Sequence, residues 1–111
     1  NERSAAQGFF ESAVRLDPEN GQFCRDLGRF FRETDAEESR KWLIQSLIVH
    51  RPDRQAHLDL ARLYESKALA ESAAREYELY ARYHRGRRAR KAEIRAGSLR
   101  NEIRMMREMR E

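Results

Sequence analysis

Small and large side chains recur along this chain at spacings of 33 and 34 residues, and no other feature narrows its fold as far. Ala6, Ser39 and Ala73 are small residues 33 and then 34 apart, and Phe10, Leu43 and Tyr77 are large apolar residues at the same two spacings. Pro18 and Pro52, 34 apart, each close an amphipathic segment. A second register runs beside the first. Leu27-Gly28 and Leu60-Ala61 stand 33 apart, and Phe31 and Tyr64 follow them at the same offset. A period in this range marks a chain built from stacked supersecondary units, each too small to bury its own apolar face.

The units are helical. Charged residues make up 38% and hydrophobic residues 40% of the 111, with only 2 Pro and 5 Gly to interrupt them, and that mixture supports helix along nearly the whole chain. No alternating β-branched run bounded by turn residues is present, so strands are not expected. Periodicity and breakers predict helices near 4–16, 21–33, 36–50, 54–66, 69–84 and 88–110. Small residues at Gly28, Ser39, Ala61 and Ala73 let paired helices approach, while Leu27, Phe31, Leu43, Leu60, Tyr64 and Tyr77 fill the groove between them. Asp35, three residues before Glu38, has the spacing of a capping box. Pro18 and Pro52 stop helices because proline has no N–H to donate.

These residues resemble the tetratricopeptide repeat family. Its first helix carries a large-small pair and an aromatic, matched by Leu27-Gly28…Phe31 and by Leu60-Ala61…Tyr64. Its second helix carries a small residue, an aromatic four later and a small residue three beyond, with a proline after the helix. Ala6…Phe10…Ala13…Pro18, Ser39…Leu43…Ser46…Pro52 and Ala73…Tyr77…Tyr80 match that pattern in turn. Tyr80 departs from it, standing where the family carries a small residue, and Arg85-Gly86 replaces the last proline. The resemblance implies an all-α fold, an antiparallel helix-pair right-handed superhelix of the α-solenoid kind, closed by a C-terminal capping or extended helix. Residues 1–84 then hold the repeats, as a half repeat at 4–18 and full repeats at about 21–52 and 54–84, and 85–111 form a basic C-terminal helix. The chain opens on a half repeat and without Met, so it reads as a piece of a longer protein.

The charge is uneven. Residues 1–84 carry 13 basic and 15 acidic side chains, whereas residues 85–111 carry 10 basic and 4 acidic, so the net charge of +4 comes from the tail. The run from Arg85 to Lys91 includes Arg87, Arg88 and Arg90, and a stripe of Ala92, Ala96, Leu99, Ile103 and Met106 follows at heptad-like spacing. Gly97-Ser98 interrupts that stripe, which leaves open a kink or a fresh helix start. The stripe has two readings. It covers the end of the stack, or it meets another chain, with Met105, Met106 and Met109 as an adaptable apolar end.

By the family resemblance the first helices line a concave surface, on which Arg25, Asp26, Arg29, Arg32, Asp59 and Arg62 form the expected partner groove. Guanidinium groups grip carboxylates in bidentate fashion, so the groove suits an acidic peptide or a chain terminus. Asp26 and Asp59 stand where chaperone-binding members carry neutral amides, which argues against that particular carboxylate clamp. His50, His57 and His84 lack metal-site spacing, so no metal and no cofactor are expected. Cys24, the single cysteine, has no base to activate it and no partner for a disulfide, which fits a reducing compartment and favours a cytoplasmic placement. The glycines are isolated, so no phosphate loop is expected, and no acid–base pair is readable. The chain therefore reads as no enzyme but as a protein-interaction scaffold or adaptor, whose partner is a protein or peptide of acidic character. Self-assembly into a homo-oligomer is the alternative, and a nucleic-acid contact through the Arg-rich tail is a third reading, weakened because no aromatic interleaves with the run. The most apolar stretch, Trp42 to Val49, is far short of the roughly 18 apolar residues of a membrane span.

Overall fold

Six α-helices are the regular elements of the computed structural model, which describes residues 1–49 and 54–110, and no strand is present among them. They are α1 (Glu2–Leu16), α2 (Gly21–Phe31), α3 (Ala36–Val49), α4 (Arg54–Ser66), α5 (Ala70–Tyr83) and α6 (Arg87–Arg110). The helices expected from periodicity are these six, with described ends differing by no more than two residues. His50 and Pro52 lie outside the described residues. The chain divides into two units, Asn1–Ala56 and His57–Glu111.

In the first unit, side-chain caps start α1, α2 and α3. The Asn1 side chain accepts from the Ser4 N–H at 2.7 Å, Asn20 from Phe23 at 3.2 Å and Asp35 from Glu38 at 3.1 Å, which satisfies N–H groups that a helix start leaves without an intrahelical partner. The capping box expected at Asp35 and Glu38 is only half formed. The Asp35 N–H already donates to the Phe31 carbonyl, and the Glu38 carboxylate accepts instead from Trp42 Nε1 at 3.1 Å. α1 ends at Leu16, one residue before the Asp17-Pro18 turn.

α2 and α3 approach most closely at Gly28. A Cβ placed there would lie 2.8 Å from Leu43 Cγ and 3.2 Å from the Ser39 carbonyl oxygen, so only glycine fits without displacement. Ser39 Oγ donates to the Gly28 carbonyl at 2.6 Å across the same crossing and is itself buried. Val14, Cys24 and Leu27 form the core of the unit, flanked by Phe10, Phe23, Phe30, Phe31 and Trp42. Phe10 of α1 meets Phe30 at 5.6 Å between ring centroids, and the Arg3 guanidinium lies 4.2 Å over the Phe30 ring. Phe10 and Val14 of α1 are thus used inside the unit, while Phe9 beside them stays 71% exposed.

In the second unit, Leu58 and Ala61 of α4, Ala73, Tyr77 and Tyr80 of α5, and Ala92, Ala96 and Leu99 of α6 belong to one core. Large residues on α5 share that core with small ones on α6, which accommodates Tyr80 where the repeat pattern calls for a small side chain. α4 passes to α5 through Ala68, whose φ of 58° is left-handed. Leu69 N–H donates to the Tyr64 carbonyl and Ala68 N–H to Glu65, the paired bonds of a Schellman turn. α5 passes to α6 at Gly86, where φ is +97° and glycine avoids the strain of a side chain. α6 then runs unbroken for 24 residues through Gly97-Ser98. Gly97 is exposed while Ala96 and Leu99 beside it are buried, so packing of the neighbours carries the helix across the glycine.

Candidate partner-binding surfaces

Two surfaces carry the residues singled out in the sequence. The first is the polar side of α2. Cys24, Leu27 and Gly28 are buried, which leaves Gln22, Arg25, Asp26, Arg29 and Arg32 on the remaining arc. Arg25, Arg29 and Arg32, four and then three residues apart, fall in one row along the helix. Arg25 Nη2 donates to Gln22 Oε1 at 2.8 Å, and Gln22 Nε2 to Asp26 Oδ1 at 3.4 Å, so the row is braced within its own helix. Arg25 and Asp26 are half-buried, and Arg29 and Arg32 are exposed.

Asp59 and Arg62, the other two residues of the expected groove, belong to α4 in the second unit. Arg62 is exposed. Asp59 is only 2% exposed, and burial at that depth takes its carboxylate out of direct reach of solvent. An aspartate on an otherwise polar helical arc reads as surface by default, because isolated carboxylates rarely tolerate burial.

The second surface is α6. Arg87, Arg88 and Arg90 are exposed on its first turn, and Arg87 and Arg90 line a shallow depression of about 640 Å³ with His84 and Glu93. The stripe beyond them divides. Ala92, Ala96 and Leu99 are buried in the core of their own unit, Ile103 is half-buried, and Met106 is 56% exposed. Leu99, expected as a partner contact, is a core residue at 3% exposure.

One constellation was not readable from the sequence. The Glu65 carboxylate of α4 accepts from the Tyr77 hydroxyl of α5 at 2.9 Å and from Arg95 of α6, whose Nε lies 3.1 and 3.2 Å from its two oxygens and whose Nη2 closes the fork. Arg95 follows Glu65 by 30 residues, a separation at which no local pattern links two charges. A second fork joins Arg100 to Glu78 at 2.7 and 2.8 Å, and His57 Nδ1 meets Glu76 Oε2 at 2.7 Å. Among the described residues no group of three or more His, Cys, Asp or Glu side chains is placed to hold a metal ion, and no helix is long and apolar enough to cross a membrane.

No protein-family model matches this chain, and no curated protein matches it in sequence. The resemblance to tetratricopeptide repeats therefore rests on the sequence residues named above.

The Glu65 cluster makes stability depend on pH at both ends of the scale. The Arg95 guanidinium, foremost, holds the Glu65 carboxyl below the usual carboxylate range. A lowered folded pKa contributes stability above the unfolded value of 4.5, and that contribution is lost as pH falls through the folded pKa. Burial, and then the bond to Glu65, push the Tyr77 hydroxyl up to about 12. A raised folded pKa contributes stability below the unfolded value of 10.0 that is lost as pH rises through about 12. Thermal unfolding followed across pH is expected to give a plateau near neutrality with a fall on either side. Glu65→Gln should lower neutral-pH stability by about 1 kcal/mol, a modest value because both partners are partly exposed. It should also flatten the acid limb and bring the Tyr77 titration, read by tyrosinate absorbance, back toward 10.0.

Proposed function

We propose that this chain is a short array of tetratricopeptide-type helix pairs and that it works by holding another polypeptide rather than by catalysis. The observation that carries the reading is the crossing at Gly28. The small position of a first helix and the small and large positions of the following second helix, picked out by the two phased registers, meet there as Gly28, Ser39 and Leu43, closely enough to exclude a Cβ. The second unit offers the same logic, with Ala61, Ala73 and Tyr77 sharing one core. In such an array the helix pairs stack in a right-handed superhelix, and the first helices face its concave side. Arg25, Arg29 and Arg32 would then present a row of guanidiniums on the α2 side of their unit. Planar forks of this kind suit an acidic segment or a terminal carboxylate.

The self-assembly reading draws on the α6 stripe, but Ala92, Ala96 and Leu99 are already buried in their own unit. Ile103 and Met106 alone fall well short of the roughly three heptads that a self-paired coiled-coil seam needs. The adaptor reading is therefore preferred. Titration of an extended acidic peptide ending in a free carboxylate tests it. Arg25→Ala and Arg29→Ala should each weaken binding about tenfold, ~1.4 kcal/mol, with circular dichroism unchanged. Unaltered affinity in both variants removes the α2 surface from the reading.

A further inference from the structure

α6 outruns the helix it packs on. It has 24 residues against 14 in α5, about 36 Å against about 21 Å. Past Leu99, the last of its buried residues, it projects beside the α4–α5 turn. There Ile103 and Met106 form one wall of a groove of about 410 Å³, and Ala68, Leu69 and Ala70 form the other. A second groove of about 310 Å³ adjoins it, between Glu71 and Arg104, and the two share Glu71, Ile103 and Arg107. Leu69 is 50% exposed and Met106 56%, so each wall carries an uncovered apolar side chain. The Schellman turn fixes the Leu69 backbone, so its wall is held in place.

Three arginines against one carboxylate, Glu71, leave the rim net cationic. Arg104, Arg107 and Arg110 follow one another at helical spacing, and among the described residues no ion pair holds any of the three. Arg100 beside them is taken by Glu78.

We propose that the overhanging end of α6, together with Leu69, docks an acidic amphipathic helix. This rests on the protein-binding reading above but assigns it a different surface and a different kind of ligand. An apolar trough along a helix accepts a second helix whose apolar residues repeat at i, i+3 or i+4 and i+7. Acidic residues flanking those positions would meet Arg104, Arg107 and Arg110. The charge selects the occupant. A second copy of this chain seated α6 on α6 would bring another row of arginines against the first. A nucleic acid would satisfy the arginines but leave Leu69, Ile103 and Met106 facing a polar backbone.

The three methionines of the chain, Met105, Met106 and Met109, all lie on this overhang, so methyl-labelled methionine reports on it alone. The full chain so labelled is titrated with a short synthetic helix carrying leucines on one face and glutamates elsewhere, and with its counterpart in which every glutamate is lysine. The glutamate peptide should move the methionine methyl signals, and Arg104→Glu with Arg107→Glu should weaken it at least about tenfold without loss of helix content. The lysine peptide should leave the signals in place. Methyl signals that stay still with the glutamate peptide, or respond equally to the lysine peptide, overturn the proposal. So does a stronger response to single-stranded RNA or to vesicles of anionic lipid. A peptide that binds without moving the methyls, and loses affinity in Arg25→Ala, leaves the α2 reading standing and removes this one.

Discussion

A chain that ends at His84 is expected to lose the fold of its second unit. Deletion strips Ala92, Ala96 and Leu99 from a core in which Ala73, Tyr77 and Tyr80 would then face water. Transfer of those apolar groups back to solvent costs on the order of 5 kcal/mol, before the loss of the Glu65–Arg95 and Glu78–Arg100 forks is counted. Small domains hold about 5–15 kcal/mol in total, so the loss is enough to melt the unit at room temperature. The sole tryptophan, Trp42, lies in the first unit, and all four tyrosines, Tyr64, Tyr77, Tyr80 and Tyr83, lie in the second, so fluorescence distinguishes the two. Circular dichroism should fall by more than the deleted helix accounts for, and the tyrosine signal should take the value of solvated phenol. A chain ending at Arg104 keeps every buried residue of α6 and should unfold close to the temperature of the full chain. If the His84 version retains native tyrosine fluorescence, α6 is dispensable to the unit and its burial stabilises little.

The second large effect is expected at Gly28. Valine there puts branched carbons where even a Cβ lies 2.8 and 2.9 Å from Leu43 carbons and 3.2 Å from a backbone oxygen. α2 and α3 must separate, and the 2.6 Å bond from Ser39 to the Gly28 carbonyl goes with them. Overpacking of this kind costs about 3 kcal/mol or more where the obstacle is backbone. Gly28→Ala is the instructive companion. Alanine is favoured over glycine inside a helix by about 1 kcal/mol, which offsets part of the clash and leaves a net loss of about 1 kcal/mol. Urea unfolding followed by Trp42 fluorescence measures both. Pairing each substitution with Leu43→Ala should recover part of the cost, because the deleted carbons are those in the way. Simple additivity would show that the crossing is looser than its geometry.

The helices were legible in the sequence because each needs one apolar stripe at a period near 3.6, and Phe10, Leu27, Leu43, Leu58 and Tyr77 supply it. The crossing at Gly28 was legible for the same reason, since a glycine within a helix pattern is costly unless something must come close. What the stripe on α6 meets was not legible. An apolar row looks the same whether it is buried against its own chain or against another, so Leu99 stood among the partner contacts although it is core. Asp59 is a related case: the family resemblance puts it on a groove, and only the fold reveals that its carboxylate is buried. The Asp35 box formed by half because Glu38 had a choice, and the nearby indole N–H of Trp42 drew its carboxylate away. The grouping of Glu65, Tyr77 and Arg95 depends on three helices converging, which no spacing along one helix encodes.

That convergence bears on how the second unit comes apart. In stacked helical repeats each helix touches only its neighbours, so disorder that begins at an end can advance one step and stop. Chain ends are ordinarily the first segments to fray. A core shared by α4, α5 and α6 works against such a stopping point, because α6 cannot lift away without uncovering Ala73, Tyr77 and Tyr80 and withdrawing Arg95 from the Glu65 carboxylate. The inner half of α6 is thereby tied to the fate of the whole unit, and by cooperativity it belongs to the interior.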